Sequence, residues 1–317
     1  ELMHALGVPT SRSLSLYVSR KEIVRRPWYS KGSKYLEPDI MSDNYAAITT
    51  RVAPSFLRVG QLELFARRVR NNSHKGALNE LKIIVQHLIN RNYENEIVYI
   101  NSFEKKVIKL ACFYRERLIN LISNWMRVGY CQGNFNSDNC AAGGYTLDYG
   151  PFGFCELFDP RFQPWTGGGD HFSFFNQPTA AEINFKTFCS SLRPLLSRSK
   201  DDLEKLAQIE NEFSDLMNKE LKQMWSNKIG LDFYDKTLVN EILNLMVISK
   251  ADYTILFRKL SDMPDNLSFL IDSFYLPINN ELNQRWEVWL KNWKYTLNKE
   301  AKIKAKSASM KSLNPVY

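Results

Sequence analysis

The chain has 317 residues, 44% of them hydrophobic and 24% charged, with a formal net charge of +8. That length allows one large domain or two smaller ones, with an ordinary globular composition. No apolar run is long enough to span a membrane, and the opening E-L-M-H-A-L-G is not a signal peptide, because no basic start precedes an apolar core.

In chain order, residues 1–6 read as helix, stopped by Gly7 and Pro9. Residues 13–19 alternate polar and apolar and read as a strand. Residues 27–43 are rich in Pro, Gly, Ser and Tyr and read as loop, and 45–52 read as a second strand ended by Pro54. Helices are expected over 61–70 and 77–91. A long helix follows over 102–127, with Val107, Leu110, Ala111, Tyr114, Leu118, Leu121, Ile122 and Trp125 forming one apolar stripe. After an aromatic and glycine-rich loop ending at Pro178, the chain turns helical, with expected segments 181–196, 200–226, 236–248, 251–261, 265–274 and 279–306. The fold class is therefore α+β and mainly helical, with a small two-stranded front. The ends read as cut: the chain opens as if in mid-helix and stops at N-P-V-Y.

Five cysteines occur without a C-x-x-C pair, so neither a disulfide framework nor a zinc site is signalled, and a reducing compartment is expected. The histidines, at 4, 74, 87 and 171, are too scattered for a zinc centre or a histidine triad. The basic balance suits an anionic partner such as a polyphosphate. Much of the excess lies in Lys299, Lys302, Lys304, Lys306 and Lys311, which read as a solvated helical face. No nucleic-acid recognition motif accompanies the charge.

The most informative stretch is 131–154, C-Q-G-N-F-N-S-D-N-C-A-A-G-G-Y-T-L-D-Y-G-P-F-G-F. Asn139 and Asp148 lie nine residues apart with Gly143 and Gly144 between them. That spacing suits a tight hairpin whose ends meet, which would bring a carboxamide oxygen and a carboxylate to one open edge. Magnesium takes one or two protein oxygens and fills the rest of its shell from phosphates and water. An Asn followed by Asp-aromatic-Gly is also how protein kinases hold their metals.

Several segments in order, H-A-L-G-V-P-T-S-R-S-L, T-R-V-A-P-S-F-L-R-V-G, G-N-F-N-S-D-N, T-L-D-Y-G-P-F-G-F, F-D-P-R-F, F-N-Q-P and K-A-D-Y-T-I-L-F-R-K-L, resemble the selenoprotein O family of kinase-like proteins. The resemblance implies a protein-kinase fold, with residues 1–60 as the rest of a small lobe and 61–317 as a helical large lobe carrying the catalytic loop 131–154. It implies ATP bound in the reverse of the kinase orientation. AMP would then pass to Ser, Thr or Tyr hydroxyls of target proteins, or of the chain itself, with Mg²⁺ or Mn²⁺. Asn139 and Asp148 would hold the metal, Asp138 would act as general base, and Arg51 and Arg58 would grip the terminal phosphate. It implies a mitochondrial location in a eukaryote and a cytoplasmic one in a bacterium.

The sequence departs from the family pattern in places. Q-G-N-F-N-S-D-N stands for H-G-V-M-N-T-D-N, with Gln132 for the histidine. D-H-F at 170–172 stands for G-R-Y, and Ile183 for a tryptophan. The family's nucleotide-binding lysine, its partner glutamate and an upstream arginine would fall before residue 1. An internal fragment is the expectation. Phosphate transfer, a non-catalytic nucleotide- or protein-binding module, and a basic nucleic-acid binder are the alternatives.

Overall fold

The computed structural model describes residues 1–32, 38–165, 169–299 and 303–316. It is mainly helical with two small antiparallel sheets. The short helix α1 (Leu2–Ala5) leads into a long ribbon of β1 (Arg12–Trp28) and β2 (Ile40–Val52). Both strands run further than the sequence suggests, and Pro27, Trp28 and residues 40–43 belong to the ribbon rather than to a loop. Residues 33–37 lie outside the described residues. The ribbon carries a register irregularity between Val18 and Ile23. Leu16, Tyr17, Val18, Tyr45 and Ile48 on it are all exposed.

The body follows: α2 (Val59–Arg70), α3 (Ala77–Asn92), α4 (Glu94–Ile97) and the central α5 (Phe103–Val128). The hydroxyl of Ser102 accepts the Lys105 N–H at the start of α5, and Gly129 closes it in the left-handed region at φ 74°. All eight residues of the expected stripe are buried. The stripe packs α5 against α6 (Gln177–Leu196), α7 (Lys200–Asn211) and α8 (Phe213–Lys228). Tyr114 meets the Phe188 ring at 4.2 Å, and Phe185 stacks on Phe213 at 4.9 Å.

Residues 200–226 do not form a single helix. Arg115 of α5 donates from Nη1 to the Ile209 carbonyl at 3.1 Å and to the Glu212 carboxylate at 2.7 Å. The Ile209 carbonyl is the one an unbroken helix would offer to the Phe213 N–H. The chain turns at Glu212 instead.

The remaining helices are α9 (Lys236–Ile248), α10 (Tyr253–Leu260), α11 (Asn280–Lys299) and α12 (Ile303–Leu313). The expected helix over 265–274 is a 3-10 segment, Leu267–Ser273, begun by the Asn266 side chain accepting the Ser268 N–H. The expected helix over 279–306 is helical at 280–299 and from 303 onward, and residues 300–302 lie outside the described residues. Trp286, Trp289 and Trp293 form the buried face of α11, and Trp289 Nε1 donates to the Leu238 carbonyl of α9 at 2.9 Å. Among the described residues no helix is long and apolar enough to cross a membrane.

Candidate active site

Directly after Gly129 the chain enters β3 (Tyr130–Gln132), which pairs antiparallel with β4 (Phe152–Phe154). The two strands frame the loop 131–154 at its base. Inside the loop a second pairing, Cys140 with Thr146, forms a tight turn around Gly143 and Gly144. Gly144 adopts φ 76°, and a Cβ there would lie 2.5 Å from the Cβ of Arg117. Both facts demand glycine. Tyr93 Oη donates to the Ala142 carbonyl at 2.8 Å, and Trp125 Nε1 donates to Thr146 Oγ1 at 2.9 Å. The turn is thereby tied to α5 and to Tyr93 at the start of α4.

That inner pairing sets Asn139 one residue before one arm and Asp148 two residues beyond the other. The Asn139 side chain is fixed by its own Nδ2, which donates to the Asn134 carbonyl at 2.8 Å. Its backbone N–H and that of Asp138 both donate to Asn136 Oδ1, at 3.2 and 2.9 Å. Asp148 Oδ1 accepts the Tyr149 N–H at 2.7 Å and pairs with Arg51 Nη1 at 2.9 Å. Asn139 Oδ1 and Asp148 Oδ2 accept no hydrogen bond among the described residues. Two oxygens of the type that hard cations prefer are therefore free on neighbouring parts of one turn, and the donor set fits Mg²⁺ or Mn²⁺. Among the described residues no group of three or more His, Cys, Asp or Glu is placed to hold a metal ion, so any metal here would take its remaining ligands from phosphate and water.

Asp138 is exposed and leans on the first turn of α2. A Cβ built on Gly60 would sit 2.2 Å from Asp138 Oδ1, so the missing side chain makes room for the carboxylate. The backbone is clamped alongside: Gly60 N–H donates to the Ser137 carbonyl and Val59 N–H to the Cys140 carbonyl, each at 2.9 Å. Arg58 caps α2, its N–H donating to Gln61 Oε1 at 3.0 Å. Its guanidinium has no acceptor among the described residues. Arg51 differs, since besides Asp148 it donates to the Leu147 carbonyl at 3.1 Å. Of the two arginines expected to hold phosphate, one is already an ion-pair partner of the expected metal ligand.

Gln177, in the F-N-Q-P segment, carries no expected site role in the sequence. It is fully buried, and its amide spans β3. Oε1 accepts the Gln132 N–H at 2.9 Å, and Nε2 donates to the Tyr130 carbonyl at 2.9 Å. Asn184, about two helical turns further along α6, donates to the Phe135 carbonyl at 2.9 Å. The F-N-Q-P motif thus positions the loop from behind. Gln132, in the place of the family's histidine, is buried and accepts a short hydrogen bond from Tyr130 Oη. Cys131, Cys140 and Cys155 are buried beside the site, and burial pushes each thiol up to about 12. They are protonated and unreactive at neutral pH.

The whole chain, residues 1–317, matches the family model described as Protein adenylyltransferase SelO. It is 31% identical over 337 residues to the protein nucleotidyltransferase YdiU of Flavobacterium johnsoniae, covering 100% of this chain and 59% of that protein. The corresponding protein of Pelagibacter ubique is 32% identical over 326 residues, again 100% of this chain and 59% of the relative. That of Rhodopirellula baltica is 31% identical over 272 residues, 83% of this chain and 47% of the relative. The chain therefore spans less than two thirds of the length of these relatives. With a match along its full length, the chain belongs to the SelO family of protein adenylyltransferases.

Proposed function

We propose that this chain carries the catalytic loop of an ATP-dependent protein adenylyltransferase of kinase-like architecture, with residues 1–60 in the small lobe and 61–317 in the large one. The single observation that supports the reading is the Cys140–Thr146 pairing, which sets Asn139 and Asp148 on the two arms of one turn with Asp138 beside Asn139, while Asn139 Oδ1 and Asp148 Oδ2 accept no hydrogen bond among the described residues.

Asp148 Oδ2 and Asn139 Oδ1 would hold Mg²⁺ or Mn²⁺, which when bound neutralises charge on the phosphates of ATP. Asp138 accepts the proton of the incoming Ser, Thr or Tyr hydroxyl as its oxygen attacks the α-phosphorus. A phosphodiester to AMP forms, the α–β bond breaks, and pyrophosphate leaves. Arg58, with its free guanidinium, and Arg51, once drawn from Asp148, hold the terminal phosphate through their planar forks of donors. The exposed position of Asp138 suits a base that must meet a protein substrate, this chain included.

The test is transfer from ATP labelled at the α- or the γ-phosphate, using the chain and a longer version with additional N-terminal sequence, each beside Asp148→Ala. Label from the α position, lost in the variant, is expected. Label from the γ position alone would establish phosphate transfer instead. ATP binding without transfer of either label would establish the non-catalytic module.

A further inference from the structure

A cavity of about 430 Å³ opens beside the loop. The loop supplies one wall through Phe135, Asn136 and Ser137, so the cavity begins one residue from Asp138. The 3-10 segment that carries His171 and Phe172 supplies another wall, and α6 closes it with Ala180 and Ile183. Phe135 and Ala180 are buried and form an apolar floor, whereas Ile183 is 59% exposed at the mouth. Among the described residues no Asp, Glu, Lys or Arg lines it. Ser137 and Thr179 line it, and neither hydroxyl has a hydrogen-bond partner among the described residues. A larger cavity, about 890 Å³, lies between α9 and α11 and includes no loop residue.

The surroundings of Asp138 restrict how a substrate can approach. One side of its carboxylate is filled by Gly60 and the start of α2. Asp148 and Arg51, on the other arm of the turn, are given to the nucleotide by the proposed reaction. Gln177 and β3 form a buried frame at the base of the loop. Asn136 and Ser137, which directly precede Asp138 in the chain, line this cavity.

We infer that the cavity is the subsite for the target segment next to the acceptor hydroxyl, and that it selects an uncharged segment with a bulky apolar side chain beside that residue. This deepens the proposed function and rests on it. An apolar floor favours Phe, Leu or Tyr, because burying such a side chain there removes apolar surface from water. The volume falls within the ~300–1,000 Å³ usual for binding pockets, enough for one large side chain with its backbone. The free hydroxyls on the walls can bond the backbone of an extended segment. A charged neighbour would be desolvated with nothing to pair it, which is how such a site rejects it.

The experiment uses two fluorescein-labelled peptides with a central serine, one flanked on both sides by phenylalanine and one by aspartate. Each is measured for binding by anisotropy and for AMP received from α-labelled ATP. The phenylalanine peptide should bind at least tenfold more tightly than the aspartate peptide. Ile183→Glu and His171→Glu, both at exposed positions that the fold tolerates, should each erase that preference, while Asp138→Asn leaves binding unchanged and stops transfer. AMP transfer with no preference between the peptides, or with the preference intact in both glutamate variants, overturns the subsite and leaves the adenylyltransferase reading standing. Selective binding that both variants abolish, with no AMP transferred, supports the subsite and refutes that reading. No binding and no transfer refutes both.

Discussion

Replacing Gln177 by alanine removes a side chain that completes the hydrogen bonding of β3. It strands the Gln132 N–H and the Tyr130 carbonyl, each held at 2.9 Å, and loses a weaker bond at 3.3 Å to the Phe174 carbonyl. A buried group left without a partner costs about 1–3 kcal/mol, so the two strong bonds set a loss of about 2–6 kcal/mol. Water entering the space left by the amide recovers part of this, and about 3–4 kcal/mol is expected. In a chain of this size that lowers the melting temperature by roughly 4–6 °C. Urea denaturation followed by tryptophan fluorescence measures the free energy, and hydrogen exchange at the Gln132 amide reports the site directly.

Gln177→Glu sharpens the test. Its carboxylate still accepts the Gln132 N–H but faces the Tyr130 carbonyl without a proton to donate. Burial raises its folded pKa above the usual ~4.3, so the unfolded chain binds fewer protons than the folded one between the two values. The deficit relative to wild type is therefore smallest near the unfolded value and grows as pH rises through the folded pKa. A loss below about 1 kcal/mol for Gln177→Ala, within the range of ordinary surface changes, would refute the positioning role. So would parallel pH profiles for Gln177→Glu and wild type.

Gly60→Ala should fold as well as wild type, since alanine is worth up to ~1 kcal/mol over glycine in a helix, yet the added Cβ displaces Asp138. A fall in kcat of tenfold or more with an unchanged denaturation midpoint is expected in the transfer assay. Gly144→Ala places a methyl 2.5 Å from the Arg117 Cβ at a left-handed backbone position, and urea denaturation should show a loss of about 2–3 kcal/mol. Lys228 is buried, donates to the Arg127 carbonyl at 2.8 Å and to Asn314 Oδ1 at 3.1 Å, and lies over the Phe257 ring at 4.1 Å. Burial, then the charge of Arg127, pushes its pKa well below the usual lysine value. The unfolded state thus binds more protons above the folded pKa, and wild-type stability should rise with pH toward ~10.4, a rise that Lys228→Met lacks in pH-dependent denaturation.

How much of this was readable in the sequence depended on where the determining partner lay. The α5 stripe was legible because its period and its caps are local, from Ser102 to Gly129. The turn carrying Asn139 and Asp148 was legible for the same reason, through its own glycines. The break at Glu212 was not, because Arg115 arrives from a helix 94 residues earlier in the chain. The reach of β1 and β2 was hidden by Pro27 and a run of charges, and an exposed ribbon needs no strict alternation to persist. Gln177 escaped because its partners are backbone groups 45 and 47 residues away, which carry no side-chain signature. The Arg51–Asp148 pair joins two residues that family resemblance had assigned to different ligands.

The residues that frame this loop and the residues proposed to do its chemistry are different, and that separation bears on the proposed reaction. Gln177, Asn184, Tyr93, Trp125 and Gly144 hold the loop by buried bonds and tight contacts, whereas Asp138 is exposed and Asn139 and Asp148 are partly so. The Arg51–Asp148 ion pair belongs to the second group, with side chains 34% and 40% exposed. Solvent screens it to about 0–1 kcal/mol. Parting the two charges therefore costs little against what each gains in the proposed complex, Asp148 from a divalent cation and Arg51 from a phosphate. Until then each neutralises the other, so neither repels its own kind within the loop. If this account is right, Arg51→Ala should weaken ATP binding without altering the denaturation midpoint by more than that fraction of a kcal/mol. A large loss of stability would instead make the pair part of the frame.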